Sequence, residues 1–131
     1  MAELTVPVTD GLFADGRLLG GHCAACDRRH FPRASRCPYC GSPGVAEVAL
    51  AERGTLWAWT AVTAPPPGYR GEVPFGFGVV ELPEGVRVIT RLTEADPARL
   101  AFGTPMRLVI DTLHTDDDGR GVVSYAFAPA S

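Results

Sequence analysis

Cys23-Ala24-Ala25-Cys26 and Cys37-Pro38-Tyr39-Cys40, with ten residues between them, hold all four cysteines of the chain. A two-residue gap lets each turn aim both of its sulfurs at one ion, and two such knuckles on facing hairpins complete a tetrahedron of four thiolates. A closed shell of four sulfurs leaves no position for water or substrate, so a metal held there is structural. Its role is to fold a segment that has almost no core of its own. Two disulfides or redox iron could use the same sulfurs. Nothing in the sequence points to secretion, which argues against the disulfides, and the ribbon is shorter than a rubredoxin's, which argues against iron. His22 and His30 flank the knuckles and are read as surface residues, since four thiolates already suffice.

Outward from this stretch the chain divides by composition. Residues 1–16 read as an arm with scattered apolar positions. Residues 17–44, the metal ribbon, carry five Arg against one acid, Asp27, a local charge of +4. Residues 45–131 carry seven Arg against eleven acids, or −4, so the two parts attract and a cleft between them would have a basic wall. All 12 basic residues of the 131 are Arg, and the net charge of −3 argues against a partner held by its phosphate backbone. No run approaches the roughly 18 apolar residues of a membrane span, and the start lacks the build of a secretory signal, so a cytoplasmic location is expected.

The chain holds 15 Gly and 12 Pro, and residues 45–131 read as strands cut by turns. After a lead, Val45 to Leu50, the strands are Thr55–Val62, Phe75–Leu82, Val86–Leu92, Met106–Leu113 and Val122–Phe127. Pro83-Glu84-Gly85 makes the second and third a hairpin, and Asp96-Pro97 opens a short helix before the fourth. Five strands in this order, with a helix between the third and fourth, match the five-stranded OB barrel. The expected fold is therefore mainly β: a rubredoxin-like zinc ribbon followed by an OB-fold barrel. Trp57 and Trp59 are two apart and fall on one face of the first strand by simple alternation. Gly76 and Gly78 leave one side of the second strand bare, open to another backbone or to a thin ligand such as pantetheine.

Gly16-Arg17-Leu18-Leu19, Phe31-Pro32-Arg33, Cys37-Pro38-Tyr39-Cys40-Gly41-Ser42, Gly54-Thr55-Leu56-Trp57-Ala58-Trp59-Thr60 and Val73-Pro74-Phe75 with Val79-Val80-Glu81-Leu82 resemble a known family. It is the standalone zinc-ribbon plus OB-fold proteins, formerly a domain of unknown function, that accompany thiolase-like enzymes in acyl-CoA metabolism. The likeness runs over about residues 12 to 128. It implies a noncatalytic accessory subunit that binds and stabilises a thiolase, or a lipid-transfer-protein-like aldolase that cleaves steroid side-chain CoA esters, with the catalytic residues in the partner and part of the CoA moiety bound between ribbon and barrel.

The residues fit that implication. An Arg fork clasps phosphate, which makes Arg33 and Arg36 of the ribbon candidates for the CoA nucleotide; solvated ribbon charge is the plain alternative. Tyr69 and Arg70 stand on a long Pro-rich loop, and Phe75 and Phe77 follow it as candidate contacts. The expected ligands are thus structural Zn2+ at Cys23, Cys26, Cys37 and Cys40, and a CoA thioester at Arg33, Arg36, Tyr69, Arg70, Phe75 and Phe77. No nucleophile elbow, phosphate loop or HExxH motif is present. A single-stranded nucleic-acid module is the competing reading, because ribbons and OB barrels both serve it and Trp57, Trp59 and Phe75 could stack bases.

Overall fold

The computed structural model describes residues 5–7, 11–64, 66–67 and 73–130. Its strands are β1 (Thr5–Pro7), β2 (Phe13–Ala14), β3 (Arg17–Cys23), β4 (Arg29–His30), β5 (Val45–Ala49), β6 (Arg53–Val62), β7 (Phe75–Glu81), β8 (Arg87–Leu92), β9 (Pro105–Thr115) and β10 (Gly121–Pro129). β6 pairs antiparallel with β7, β7 with β8, and β9 with β10. The barrel closes where β8 meets β10 in parallel at Leu92 and Phe127, and where β9 returns to β6. This is the OB order read from the sequence, closed through one residue pair at β8–β10 and three at β6–β9.

Period-two alternation builds the wall. Val86, Val88, Thr90 and Leu92 point in and are at most 2% exposed, while Ile89 between them is 62% exposed. Leu56, Val80, Met106 and Phe127 complete the barrel core, and Leu18 and Leu50 from the ribbon side belong to the same buried cluster. The ribbon and barrel are therefore joined by shared apolar packing. On the ribbon side the Leu50 amide donates to the Leu18 carbonyl (2.9 Å) and Arg17 donates from Nε and Nη2 to the Leu50 carbonyl (3.0 and 2.6 Å), and the joint is crossed by the Ala51 amide donating to Glu84 Oε2 (3.0 Å).

Four features differ from the linear reading. The lead Val45–Ala49 hydrogen-bonds to β3, in the cysteine-bearing sheet, and to no barrel strand. The N-terminal arm contains strands, because Asp15 (φ 53°) and Gly16 (φ 76°) form the two-residue hairpin turn that a right-twisted strand pair requires, folding β2 onto β3; β1 pairs in parallel with the start of β10. The expected short helix is one turn of 3-10 helix, Pro97–Arg99, with the Asp96 side chain accepting from the Ala98 amide. None of its residues is buried, so no apolar face stabilises further turns.

The fourth concerns the tryptophans. Leu56 faces Val80 and Ala58 faces Val79, so Trp57 is the extra residue of a β-bulge. The bulge inverts the alternation after it. Trp59 sits opposite the inward-facing Gly78 and packs on the core, whereas Trp57 is 42% exposed on the outside. A Cβ on Gly78 would collide with the Ala58 carbonyl, and one on Gly76 with the Glu94 carbonyl. The close approach that the bare glycines permit is made by this chain's own backbone, not by pantetheine.

The β9–β10 turn is organised by Asp116, which accepts from the amides of Asp118 and Arg120 and from Arg120 Nε. The Arg120 amide, then that of Asp118 and the Arg120 side chain hold its carboxyl below the usual range. A depressed carboxylate stabilises the fold above its unfolded value, about 3.9, and that contribution is lost as pH falls through the lower folded value.

Two outcomes follow for stability. Leu50→Ala, which empties a fully buried site shared by ribbon and barrel, should cost about 2–5 kcal/mol in urea unfolding at pH 7. Asp116→Asn should be less stable than the parent at pH 6, with the gap between their urea midpoints closing as pH drops below about 4; a gap constant with pH would contradict the assignment.

Candidate metal centre and the faces around it

The two cysteine turns are built alike. In the first, the Cys23 amide donates to the Arg28 carbonyl (2.9 Å) and the Asp27 amide to the Cys23 carbonyl (2.8 Å); in the second, the Cys37 amide donates to the Ser42 carbonyl and the Gly41 amide to the Cys37 carbonyl, both at 2.9 Å. The residue after each second cysteine takes positive φ: Asp27 at 63° and Gly41 at 79°. Asp27, a non-glycine in that conformation, is held from outside by His22, whose Nε2 lies 2.7 Å from Oδ1. The same contact holds the Asp27 carboxyl below the usual range.

These turns bring Cys23, Cys26, Cys37 and Cys40 together with all four sulfurs within 4.8 Å of one another. Cys23 and Cys40 stand 3.6 Å apart, as do Cys26 and Cys37. Four sulfurs about 2.3 Å from a tetrahedral centre lie roughly 3.8 Å from one another, so the set fits zinc without rearrangement. All four are free thiols, far beyond disulfide bonding distance. The amides of Cys26 and Ala25, with the Cys40 thiol, pull Cys23 down to about 6 against burial. At Cys26 the Arg28 amide acts downward but is outweighed by desolvation and the neighbouring sulfurs, which push it up to about 12. Four crowded sulfurs cannot all ionise without a cation among them, and a divalent ion removes that conflict. A zinc here would supply folding free energy and cross-link the end of β3 and its turn to the second knuckle.

His30 is not a surface residue as its position beside the knuckles suggests. It is 4% exposed, its ring lies against Gly21 where no Cβ could stand, and its Nε2 accepts from the Ala34 amide at 3.1 Å. It packs the ribbon, outside the four-sulfur cluster. His22 is the partly exposed one, occupied with Asp27.

The remaining predicted residues do not converge on one place. Arg33 makes an exposed ion pair with Glu47 of β5 (3.6 Å), and Arg36 donates to the Gly41 carbonyl of the second knuckle (3.1 Å). Phe75 and Phe77 line an apolar groove of about 330 Å3 on the outer face of the barrel, with Leu12, Ile89, Leu113 and Tyr125. Arg33 and Arg36 take no part in that groove. Tyr69 and Arg70 lie outside the described residues.

A second concavity lies between ribbon and barrel, where the division of charge predicts a cleft. It measures about 420 Å3, and its lining of Phe31, Pro38 and Tyr39 on the ribbon side and Glu81 and Arg87 on the barrel side differs from the candidate residues of the sequence. Arg87 stacks over the Trp57 ring, 4.3 Å from its centroid, while its Nε donates to Glu81 (3.0 Å); Arg28 lies 5.1 Å from the Tyr39 ring. Alternation in Val86-Arg87-Val88 already places Arg87 outside. Alternation from the buried Leu56 places Trp57 on the same outer face, and the pairing of β6, β7 and β8 brings the two together. Among the described residues, no helix is long and apolar enough to cross a membrane.

With this geometry in hand, the likeness to known proteins is specific. Residues 12–46 match the family described as "ChsH2, rubredoxin-like zinc ribbon domain" and residues 47–111 the one described as "ChsH2, C-terminal OB-fold domain". A "DUF35 domain-containing scaffold protein" of Pyrococcus furiosus is 33% identical over 116 residues, covering 86% of this chain and 83% of its own. "Benzoylsuccinyl-CoA thiolase subunit BbsA" of Thauera aromatica is 32% identical over 117 residues, covering 87% and 79%. Among solved structures, a chain of the "Ltp2-ChsH2(DUF35) aldolase" superposes with a TM-score of 0.66 at 32% identity, covering 88% of this chain and 86% of that one.

Elemental analysis of the purified protein should find a single zinc, lost in Cys23→Ser. Chelation should raise amide hydrogen exchange throughout β3–β5 well before it does so in β7 and β8; simultaneous loss in both sheets would mean that the ion holds the barrel as well.

Proposed function

The chain belongs to the ChsH2-type family of zinc-ribbon and OB-fold proteins, and on that footing we propose that it is a noncatalytic accessory subunit of a thiolase-fold enzyme, an aldolase or a thiolase, acting on acyl-CoA thioesters. The observation that carries this reading is likeness over nearly the whole chain to proteins named as the subunit of a thiolase and as the ChsH2(DUF35) component of an aldolase. Two physical features support it. The metal cage is closed, so its ion scaffolds the ribbon without offering an open coordination site. The outer face of β7 and β8 leaves Phe77 and Ile89 39% and 62% exposed beside an apolar groove, a surface suited to burial against a larger protein.

Within this reading, Arg33 and Arg36 are the ribbon groups assigned to the CoA phosphates, releasing Glu47 and the Gly41 carbonyl in exchange; Tyr69, Arg70, Phe75 and Phe77 are assigned to the less polar part of the ligand. Steroid side-chain CoA esters are the substrate class if the partner is an aldolase. Nucleic acid is the weaker reading. The cations that border the exposed aromatics on the β8 side are neutralised, Arg87 by Glu81 and Arg91 by Asp111, which leaves little field for a phosphate backbone.

Expressed with an affinity tag in its native host, the chain should retain a thiolase-fold subunit in constant ratio through size-exclusion chromatography. A chain that elutes alone would sink the proposal. In the resulting complex, Arg33→Gln with Arg36→Gln should raise KM for the CoA thioester by about tenfold or more, as loss of charged hydrogen bonds does; an unchanged KM would remove these two residues from the ligand site.

A further inference from the structure

Among the described residues most arginines have a partner within the chain; Arg29, Arg53 and Arg107 make no side-chain hydrogen bond or ion pair there. Arg17 clasps the Leu50 carbonyl, Arg91 and Arg120 pair with Asp111 and Asp116, and Arg99 pairs with Glu94. Arg53 and Arg107 form a contrasting pair. They face each other directly across the β6–β9 ladder and both are exposed. Directly opposed residues on antiparallel strands hold their Cβ atoms about 5 Å apart, and like charges so placed are destabilising. Among the described residues neither has a hydrogen bond or ion pair from its side chain, and Glu52, next in sequence, bridges neither guanidinium. The like-charge contact therefore has no counterpart within the fold.

The surroundings say what kind of anion fits. Phe102, at 72% the most exposed large apolar side chain among the described residues, stands in the turn before β9: this turn is tied to β6 by the Gly103 amide donating to the Leu56 carbonyl and by the Leu56 amide donating to the Thr104 carbonyl, one residue before Pro105 pairs with Thr55. Arg53, Arg107 and Phe102 line neither the apolar groove over β7 and β8 nor the cleft between ribbon and barrel. Small anionic ligands are held in concave sites. An open surface carrying two unpaired guanidinium forks, with an exposed aromatic side chain farther along the same strand pair, has instead the make-up of a protein contact point, and its charge asks for carboxylates.

We propose that Arg53, Arg107 and Phe102 receive an acidic segment of the enzyme subunit, which supplies the counter-charge that the β6–β9 ladder lacks. The proposal rests on the accessory-subunit reading. It also explains why a destabilising juxtaposition persists, since the pair is relieved only in the complex.

The test uses the tagged chain and the thiolase-fold subunit that it retains, with association measured between 50 and 300 mM NaCl. Arg53→Glu with Arg107→Glu should slow association by about tenfold at the low-salt end and flatten its salt dependence, and Phe102→Ser should speed dissociation. Arg53→Gln with Arg107→Gln should weaken binding while its melting temperature stays equal to or above that of the parent, which separates docking from folding. Parent-like association rate and salt dependence in the charge-reversed variant would overturn this inference and leave the accessory role standing. A parent chain that retains no thiolase-fold subunit would overturn both. Displacement of the subunit by inorganic phosphate or by an oligonucleotide at matched ionic strength, abolished by the charge reversal, would assign the pair to a free anion or to nucleic acid and overturn the docking assignment.

Discussion

Four sulfurs gathered within 4.8 Å of one another are the constraint on which the ribbon depends. Its strands β2 and β4 have two residues each, and its segment carries a charge of +4, so neither apolar burial nor electrostatics would assemble it unaided. A divalent ion among the thiolates converts their mutual repulsion into cohesion. Once β3 is fixed by the knuckle, the same strand delivers Leu18 to the barrel core and Arg17 to the Leu50 carbonyl. Local metal chemistry at one end of β3 thereby sets the placement of the whole ribbon on the barrel.

The barrel contributes a different kind of rigidity. Its five strands close in a circuit, and its interior is filled partly by Trp59 turned in over Gly78. Because the interior is filled by side chains and by this chain's own carbonyls, the ligand-accessible space is outside: an apolar groove over β7 and β8, and a cleft between barrel and ribbon lined by Tyr39 and Arg87. Such surface concavities are suited to being completed by a second protein, in keeping with an accessory role.

Legibility in the sequence followed the range of the interactions. The cage was readable because ligand spacing within each knuckle is local, and the strands from Phe75 to Leu92 because alternation is. The Asp15-Gly16 turn was an available hairpin signal whose strand partners are short. Val45–Ala49 could not be allotted to either sheet from composition, since its pattern suits both and only hydrogen bonding to β3 decides. The buried His30 was misplaced because nothing in its neighbours announces that two glycines would make room for its ring and carbonyl.

The sequence by itself determined a four-thiolate ribbon ahead of a five-stranded barrel, because both are written in short-range periodicities of two and three residues. Tertiary structure alone decided which side each tryptophan takes, which arginines find acids, and that Arg53 and Arg107 stand face to face. Those outcomes depend on strand register, and one bulged residue or one shifted pairing changes every contact downstream of it.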